Sequence, residues 1–289
     1  MKVDKTSRTA QYMAFFRALE TKRRANDKLF SDPFAIHFLD PSLRLAVRAS
    51  NLPFFKTYLT RTIQKKIPGA LSSGIARTKY IDDLLCSTIK SGVKQVIILG
   101  AGFDPRASRL EFLQSIPVIE IDHPNTSNYK MDIYKGRIGE LPPNVTYCQI
   151  DFNKQSLEQL AKENKFNLRT RTTILWEGVT NYLTADTIGK TFAFISKFPS
   201  GSFVIFTYVH KQILDNPGLF FGGEKLLQDL ESIEERWTFG FLPSELANYL
   251  SKSSLTLVED LGATEYRNRY LQGRTEKGYE FYRVAMAQK

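Results

Sequence analysis

The sequence predicts an α/β fold built around a mostly parallel sheet, and two observations carry this prediction. Between residues 94 and 209, five short runs rich in β-branched and aromatic residues alternate with stretches of helical apolar spacing. The runs lie roughly 22 to 30 residues apart, which is the spacing of strand–helix–strand units. With 289 residues, of which 42% are apolar, the chain is long enough to bury the core of such a fold.

The first 92 residues are predicted to form a helical N-terminal extension, because their apolar positions recur every three or four residues. In "FSDPFAIHFLD" (30–40), Asp32 is predicted to be the N-cap of a helix and Pro33 its first residue. "GIARTKYIDDLLCSTIK" (74–90) reads as an amphipathic helix. Its apolar face is formed by Ile81, Leu84, Leu85 and Ile89.

The predicted strands follow in two groups. The first group, within a core spanning 93–210, comprises "KQVIILG" (94–100), "IPVIEID" (116–122), "NVTYCQID" (144–151), "TTILWEG" (172–178) and "GSFVIFTYV" (201–209). The second, within 243–289, comprises "SLTLVEDLG" (254–262) and "GYEFYRVAMAQ" (278–288), which are close enough to form an antiparallel pair at one sheet edge. Between the groups, residues 211–242 are irregular and aromatic, so we interpret them as a cap over a pocket within a single domain.

Composition excludes several function classes. The net charge is +10, but the basic residues are scattered apart from small clusters at 21–24 and 64–66, which argues against nucleic acid as the partner. No apolar run reaches the roughly 20 residues that span a bilayer, and the N-terminus lacks a secretory apolar segment, so we expect no membrane partner. The two cysteines and three histidines have no metal-ligand spacing. We therefore expect no metal and a cytoplasmic location.

The stretch "VIILGAGFDPRASRL" (96–110) places a glycine turn at the carboxyl end of the first strand, where α/β sheets bind ligands. Gly100 and Gly102 let a ligand approach the backbone closely. The third glycine of a dinucleotide fingerprint is replaced by Pro105, and the lysine of a phosphate-binding loop is missing. The turn therefore favours a nucleoside over a pyrophosphate, although a merely tight turn is the alternative.

Carboxylates follow the neighbouring strands. Asp122 ends the second strand about 20 residues beyond the glycines, the position of a ribose-binding acid. Asp151 and Glu177 follow the third and fourth strands. Arg77 lies on the core-facing side of its helix, so it can partner Glu177, and such a pair can hold the carboxylate and ammonium groups of an amino acid. A nucleoside joined to an amino acid describes S-adenosylmethionine, while a structural salt bridge to Glu177 or Asp82 is the alternative for Arg77.

These motifs resemble the leucine carboxyl methyltransferase-like class I methyltransferases, which include protein phosphatase methyltransferases and bacterial polyketide O-methyltransferases. The resemblance runs over most of the chain, from "TSRTAQYMAFFRALE" and "ARTKYIDDLL" through the glycine turn and "VIEIDHP" to "EGVTNYL". It implies a Rossmann-like sheet of seven strands with helices on both faces and S-adenosylmethionine as the cofactor. It also implies the cofactor-binding residues. These are Arg77 for the carboxylate, Gly100 and Gly102 at the turn, Asp122 for the ribose, Asp151 and Phe152 at the adenine, Glu177 for the amino group, and Arg17 near the cofactor.

The methyl acceptor is left open by the sequence. A carboxylate is already ionised near pH 7 and needs no base, only donors that position it. The candidates for that task are Arg106, Arg109, Tyr182, Tyr208 and Arg267, although Arg106 and Arg109 can instead brace the glycine loop. A hydroxyl acceptor profits from a base, for which the candidates are His210, His123 and Tyr208.

We therefore expect an O-methyltransferase acting on a small organic acid or hydroxyl compound. Trp237, Phe239, Phe220 and Phe221 are candidate aromatic walls for a planar acceptor, and ordinary packing under a long loop is the alternative. A macromolecular acceptor, such as a protein C-terminus or tRNA, is the second hypothesis. A non-catalytic module that kept the fold is the third, and the presence of both Arg77 and Glu177 argues against it.

Overall fold

The computed structural model of the chain describes residues 8–151, 155–273 and 277–289. Its centre is one seven-stranded sheet in the order β3-β2-β1-β4-β5-β7-β6. Strands β1 to β5 pair in parallel, and β7 is antiparallel to both β5 and β6. The strands are β1 (Gln95–Leu99), β2 (Val118–Asp122), β3 (Val145–Gln149), β4 (Thr172–Trp176), β5 (Phe203–Val209), β6 (Thr256–Leu261) and β7 (Tyr282–Gln288).

The predicted fold class is confirmed, and all seven predicted runs contain a strand. The two C-terminal strands form the expected antiparallel pair, with β7 inserted between β5 and the edge strand β6. The chain order reverses between β1 and β4, so a crevice opens there at the carboxyl edge of the sheet. This edge carries the glycine turn after β1 and Glu177 after β4.

Helices cover both faces of the sheet. On one face, Trp176 of β4 and Phe206 of β5 pack against the ring of Phe192 from a covering helix. On the other face, Tyr80 and Tyr266 from two covering helices stack on each other within the core. The twelve α-helices described are α1 (Arg8–Thr21), α2 (Pro41–Ala49), α3 (Pro53–Lys66), α4 (Ala70–Lys90), α5 (Arg106–Arg109), α6 (Pro124–Ile133), α7 (Leu157–Glu163), α8 (Ala185–Ile195), α9 (Gln212–Asp215), α10 (Gly223–Ser232), α11 (Pro243–Ser251) and α12 (Ala263–Tyr270).

The predicted helix at residues 30–40 is shorter and tighter than expected. Only Ala35–Phe38 are helical, in a single 3₁₀ turn. The predicted boundary was wrong by two residues, because Phe34 takes the N-cap position and Pro33 lies before the turn. The Asp32 carboxylate still binds the start of the turn, since its Oδ1 accepts hydrogen bonds from the backbone N–H groups of Phe34 and Ala35. The turn cannot continue because Asp40 precedes Pro41, the first residue of α2, and the residue before a proline is driven out of the helical region.

Residues 211–242 form α9, a 3₁₀ turn and α10, followed by an extended stretch. This segment packs through its apolar side chains next to β7, where the rings of Phe220 and Trp237 each make a T-shaped contact with the ring of Phe281, the residue before the strand. Backbone hydrogen bonds from Thr238 and Phe239 to the Asn181 carbonyl tie it to the loop that follows β4. The segment therefore lies beside the carboxyl edge of the sheet.

Candidate functional site

The glycine turn after β1 has the backbone conformation that the sequence suggested. Gly100 and Gly102 have φ angles of +66° and +44°, a region that side chains rarely adopt. A Cβ atom on Gly100 would lie 2.3 Å from Cγ2 of Val179, which follows β4, so the turn is pressed against the next loop. A Cβ on Gly102 would meet no atom closer than 3.8 Å. Gly100 thus serves close packing, and Gly102 faces open space.

Asp122 ends β2 with a half-buried carboxylate bound by backbone donors. Oδ2 accepts a hydrogen bond of 2.5 Å from Gly102 N, and Oδ1 accepts one of 2.6 Å from His123 N. Burial raises the pKa of Asp122, and the two backbone donors oppose that rise. Among the ion pairs of the described residues, none involves Asp122, so its negative charge is not neutralised by a direct cationic partner.

Arg77 of α4 and Glu177 after β4 form the predicted pair. Arg77 Nε donates to Glu177 Oε1 at 2.9 Å, and its Nη2 donates to the thioether sulfur of Met13 at 3.3 Å. The guanidinium also lies 4.4 Å from the centre of the Tyr282 ring. In the described part of the chain Nη1 has no hydrogen-bond acceptor, and a thioether is only a weak one. Arg77 therefore retains donor capacity for a bound carboxylate.

Arg106 joins this pair to the glycine loop. Its Nη1 donates to Glu177 Oε2 at 2.7 Å and to Asp104 Oδ2 at 2.5 Å, while its Nε donates to Asp82 Oδ1 at 2.7 Å. Arg109 completes the cluster with two hydrogen bonds of 2.8 Å to Asp82. Three arginines and three carboxylates thus alternate in one buried network, which offsets the cost of burying each charge.

The network fixes the protonation states of its members. Burial acts to raise the pKa of Glu177, but Arg106 and Arg77 outweigh it and hold that pKa below its usual value. Burial likewise acts to lower the pKa of Arg77, and the neighbouring Tyr282 and Glu177 reverse the effect. Both groups are therefore charged at neutral pH, which is the state needed to bind a zwitterionic amino acid.

The structure brings most predicted cofactor-binding residues to one place. The segment that follows β1 contacts Asp122 through Gly102 and Glu177 through Arg106. Asp122 and the Arg77–Glu177 pair therefore lie at the same edge of the sheet. Arg17 of α1 reaches this loop as well. Its Nη2 donates to the Phe103 carbonyl at 2.7 Å and its Nε to Asp32 at 2.8 Å.

The structure says little about the two residues predicted to bind the adenine, Asp151 and Phe152. Asp151 lies two residues after the end of β3 and is half-buried. Phe152 lies outside the described residues. The cofactor-binding roles of both stay predictions.

Sequence reasoning missed one buried pair beside Asp122. Glu120 lies two residues before Asp122, so the two carboxylates share one face of β2, and sequence reasoning did not identify the partner of Glu120. Lys130 of α6 donates to Glu120 Oε2 at 2.6 Å and to the Asp104 carbonyl at 2.5 Å, so it ties β2 to the glycine loop. The available signal was the glutamate itself, because a charge inside an apolar strand requires a buried partner.

The candidate acceptor-side residues are dispersed. Tyr208 does not fit its predicted role, because its buried hydroxyl donates to Asp260 of β6 at 2.7 Å and accepts from Arg283 of β7 at 2.9 Å. His123 is exposed and caps α6, its Nδ1 accepting from Asn125 N. His210 follows β5 at the carboxyl edge, with its Nδ1 accepting from Gln212 N.

The remaining polar candidates are engaged in pairs outside the network around Glu177. Tyr182 donates to Glu235 at 3.4 Å, and Arg267 pairs with Glu280 at 3.5 Å. Of the four aromatic candidates, Phe220, Trp237 and Phe239 pack on other rings, the ordinary packing that was the alternative. Phe221 is more exposed than they are, and the Lys277 ammonium lies over its ring at 5.1 Å.

The residues present fit S-adenosylmethionine. Within the described residues Nη1 of Arg77 is an unused donor for a carboxylate, and each oxygen of Glu177 accepts one hydrogen bond and keeps a lone pair for an ammonium proton. Asp122 forms no ion pair with any residue that the structure describes, and a Cβ on the neighbouring Gly102 would meet no atom closer than 3.8 Å. The sheet order with its antiparallel seventh strand, together with this edge, defines the class I methyltransferase architecture.

The family assignment follows from direct comparison. The chain belongs to the leucine carboxyl methyltransferase family, whose model matches residues 10–196. This confirms the resemblance drawn from the motifs, and with it the class of S-adenosylmethionine-dependent methyltransferases. In the part of the chain that the structure describes, no helix is both long and apolar enough to cross a membrane.

Individual relatives agree with this class. The chain is 27% identical over 205 residues to YktD of Bacillus subtilis (strain 168), a candidate S-adenosyl-L-methionine-dependent methyltransferase, covering 70% of this chain and 67% of YktD. It is 38% identical over 143 residues to a candidate of the same description from Mycobacterium bovis (strain BCG / Pasteur 1173P2), covering 46% of this chain and 44% of the relative. With that second relative, the match therefore spans about half the length of either chain.

Solved structures share the fold. A DUF574 family protein from Streptomyces avermitilis superposes with a TM-score of 0.65 at 13% identity, covering 100% of both chains. A methyltransferase candidate from Thermobifida fusca superposes with a TM-score of 0.56 at 15% identity, covering 95% of this chain and 94% of the other. At these identities the likeness concerns the fold alone.

Proposed function

We propose that this chain transfers the methyl group of S-adenosylmethionine to an oxygen atom of a small organic acid or alcohol. The proposal that S-adenosylmethionine is the cofactor rests on one observation. The loop after β1 contacts both Asp122 and the Arg77–Glu177 pair. It supports one continuous site for a nucleoside and an amino-acid tail. When bound, the cofactor supplies an electrophilic methyl group on a sulfonium.

The residues of the chain would bind and orient the reactants. Arg77 would hold the carboxylate, Glu177 the ammonium group and Asp122 the sugar hydroxyls. The arginines and acids of the network balance one another. Asp122, which takes part in no ion pair between described residues, therefore leaves a negative site suited to a cofactor of net positive charge. Aligning two reactants in a site of this kind supplies much of the acceleration of a displacement reaction.

The acceptor is proposed to be a carboxylate or a hydroxyl, and His210 distinguishes the two. Burial and the nearby Arg283 lower the pKa of His210, so its ring is neutral at pH 7. Since Nδ1 accepts a hydrogen bond of 3.3 Å from Gln212 N, the neutral ring carries its proton on Nε2. With a hydroxyl acceptor, Nδ1 would act as the base by exchanging this long hydrogen bond for the acceptor's O–H and taking its proton, and a carboxylate acceptor would not need this step.

Calorimetry with S-adenosylmethionine tests the cofactor site. We expect the wild type to bind, and Asp122→Asn and Arg77→Gln each to weaken binding by about tenfold or more, because each removes a charged hydrogen-bond partner. Asp186→Asn is the matched control, since that carboxylate is exposed on α8 in a pair with Lys190. An Asp122→Asn variant that binds as tightly as the wild type contradicts the assignment.

Methyl transfer from labelled cofactor to a panel of acceptors tests which kind of molecule receives the methyl group. Aromatic acids, phenols, RNA and a peptide with a free C-terminus are incubated separately, and each labelled product is treated with alkali, which cleaves methyl esters and leaves ethers intact. We expect a labelled small molecule. His210→Gln should leave ester formation unchanged and slow ether formation by about a hundredfold. Label found only in RNA or peptide refutes the small-molecule proposal.

A further inference from the structure

An exposed apolar surface lies on α2 and α3 and on the turn between them. Leu45, Leu52, Phe54 and Tyr58 are 67%, 64%, 92% and 66% exposed. They are half of the large apolar side chains exposed in the described ranges, yet they fall within fourteen consecutive residues. Scattered apolar residues need no explanation, but a concentration of this kind marks an interaction surface. We name these four residues the α2–α3 patch.

The charged residues of the segment that carries the patch have one sign. Residues 41–67 contain no Asp or Glu and six basic residues, which are Arg44, Arg48, Lys56, Arg61, Lys65 and Lys66. On α3, the residues Phe54, Tyr58, Arg61 and Lys65 follow one another at helical spacing, so aromatic and basic side chains share one exposed stripe.

Three kinds of partner could cover such a surface. A second copy of the chain would bring two sets of six positive charges together, which opposes association. A protein partner would need an apolar surface that receives four highly exposed side chains together with acidic groups that face six basic residues. An anionic lipid surface meets both requirements, because it receives projecting apolar side chains and attracts the basic residues around them.

We propose that the α2–α3 patch docks this protein on the surface of an anionic membrane. Phe54, Tyr58, Leu52 and Leu45 enter the boundary between headgroups and acyl chains. The lysines and arginines stay at the level of the lipid phosphates, with their aliphatic stems along the apolar layer. This proposal departs from the expectation of no membrane partner, which rested on the missing spanning segment and does not concern docking on the surface.

Sedimentation with lipid vesicles tests the proposal on the full chain. The wild type is expected to sediment with phosphatidylcholine vesicles that contain about a third phosphatidylglycerol, and to stay in solution with pure phosphatidylcholine. Added salt should weaken binding because it screens the exposed charges. Failure to bind the anionic vesicles overturns the proposal and leaves an acidic protein as the occupant to seek.

Two matched pairs of variants locate the contact. Phe54→Ser/Tyr58→Ser should lower vesicle partition by about tenfold or more, and Leu219→Ser/Val258→Ser, which removes exposed apolar groups elsewhere, should not. Lys65→Glu/Lys66→Glu should act similarly, and Lys190→Glu/Lys252→Glu is its control. Circular dichroism checks that each variant is folded. Equal losses in a test pair and its control overturn the proposal, as does a dimer in solution that Phe54→Ser abolishes.

Discussion

Arg106 shows how much one side chain can organise. From the sequence, Arg106 was a candidate either to position the methyl acceptor or to brace the glycine loop. The structure supports the brace, since its guanidinium is buried and bonded to Asp82, Asp104 and Glu177. It holds the Glu177 carboxylate in place between two arginines, so Arg77 remains available to a ligand. Its contribution to binding is therefore indirect.

Arg106→Met should lower the free energy of unfolding by about 3–5 kcal/mol, because it leaves buried carboxylates without their cation. Urea denaturation measures this loss. Lys190→Met is the control, since its pair with Asp186 is exposed and such pairs contribute about 0–1 kcal/mol. Similar losses in the two variants would show that the Arg106 network is not a buried one in solution.

Glu120 gives a prediction about pH. Burial raises its pKa from the ordinary 4.5 to about 7, against the opposing effect of Lys130. The folded protein therefore keeps a proton that the unfolded chain has released between those two values. The stability due to this proton is complete below about pH 4.5 and is lost as the pH rises through 7.

Carbon NMR of the Glu120 side chain should show a titration midpoint near 7. In parallel, the unfolding free energy of the wild type relative to Glu120→Gln should fall between about pH 4.5 and pH 7, because glutamine does not titrate there. A midpoint at the ordinary value of a glutamate, with no change in the relative free energy, contradicts the prediction.

At the scale of single elements, the strands were the best-predicted feature. Continuous apolar runs such as "VIIL" and "TILW" are buried on both faces of the sheet, so the local sequence specifies them. The segment at 30–40 was predicted less well, because the following proline and the Arg17–Asp32 contact shorten it to one turn. The glycine turn was predicted as a ligand loop, and its contact with Val179 could not be.

That contact predicts a specific coupling between two loops. Gly100→Ala should destabilise the protein through backbone strain of about 1–2 kcal/mol and through a clash with Val179 of about 1–3 kcal/mol. Val179→Ala removes the methyl group in the way, so the double variant should lose less stability than the sum of the single variants.

Thermal and urea unfolding of the four proteins in this cycle provide the measurement. Gly102→Ala is the matched control, because its φ is also positive but its surroundings are open. It should show backbone strain alone and no coupling to Val179→Ala. If the double variant loses as much unfolding free energy as Gly100→Ala and Val179→Ala together, the two loops do not touch.

At the scale of the whole molecule, the N-terminal helices and the sheet meet at the candidate site. Phe38 stacks on Phe103 in the glycine loop with ring centres 5.2 Å apart. The rings of Phe38 and Tyr134 form a T-shaped contact with centres 5.9 Å apart. Met13 and Arg17 of α1 reach Arg77 and the Phe103 carbonyl. The N-terminal residues therefore support the loop that is proposed to bind the cofactor.

Phe38→Ala should lower the free energy of unfolding by about 3–5 kcal/mol and weaken cofactor binding, because the cavity removes support from the loop. The losses are measured by denaturation and calorimetry. Phe54→Ala provides the control, since that ring is 92% exposed and its removal should change stability little. If a folded Phe38→Ala variant binds the cofactor as tightly as the wild type, the N-terminal helices do not support the cofactor site.

The sequence by itself determined the strands, the glycine turn and the acids at the strand ends, because each of these depends on neighbours along the chain. It also placed Arg77 opposite Glu177, since a buried charge needs a partner. Only the tertiary structure decided which partner each charge takes: Lys130 for Glu120, Arg106 for three carboxylates, Asp260 for Tyr208. These choices join residues far apart in the chain, and electrostatic pairing depends on distance in space, which local sequence patterns do not contain.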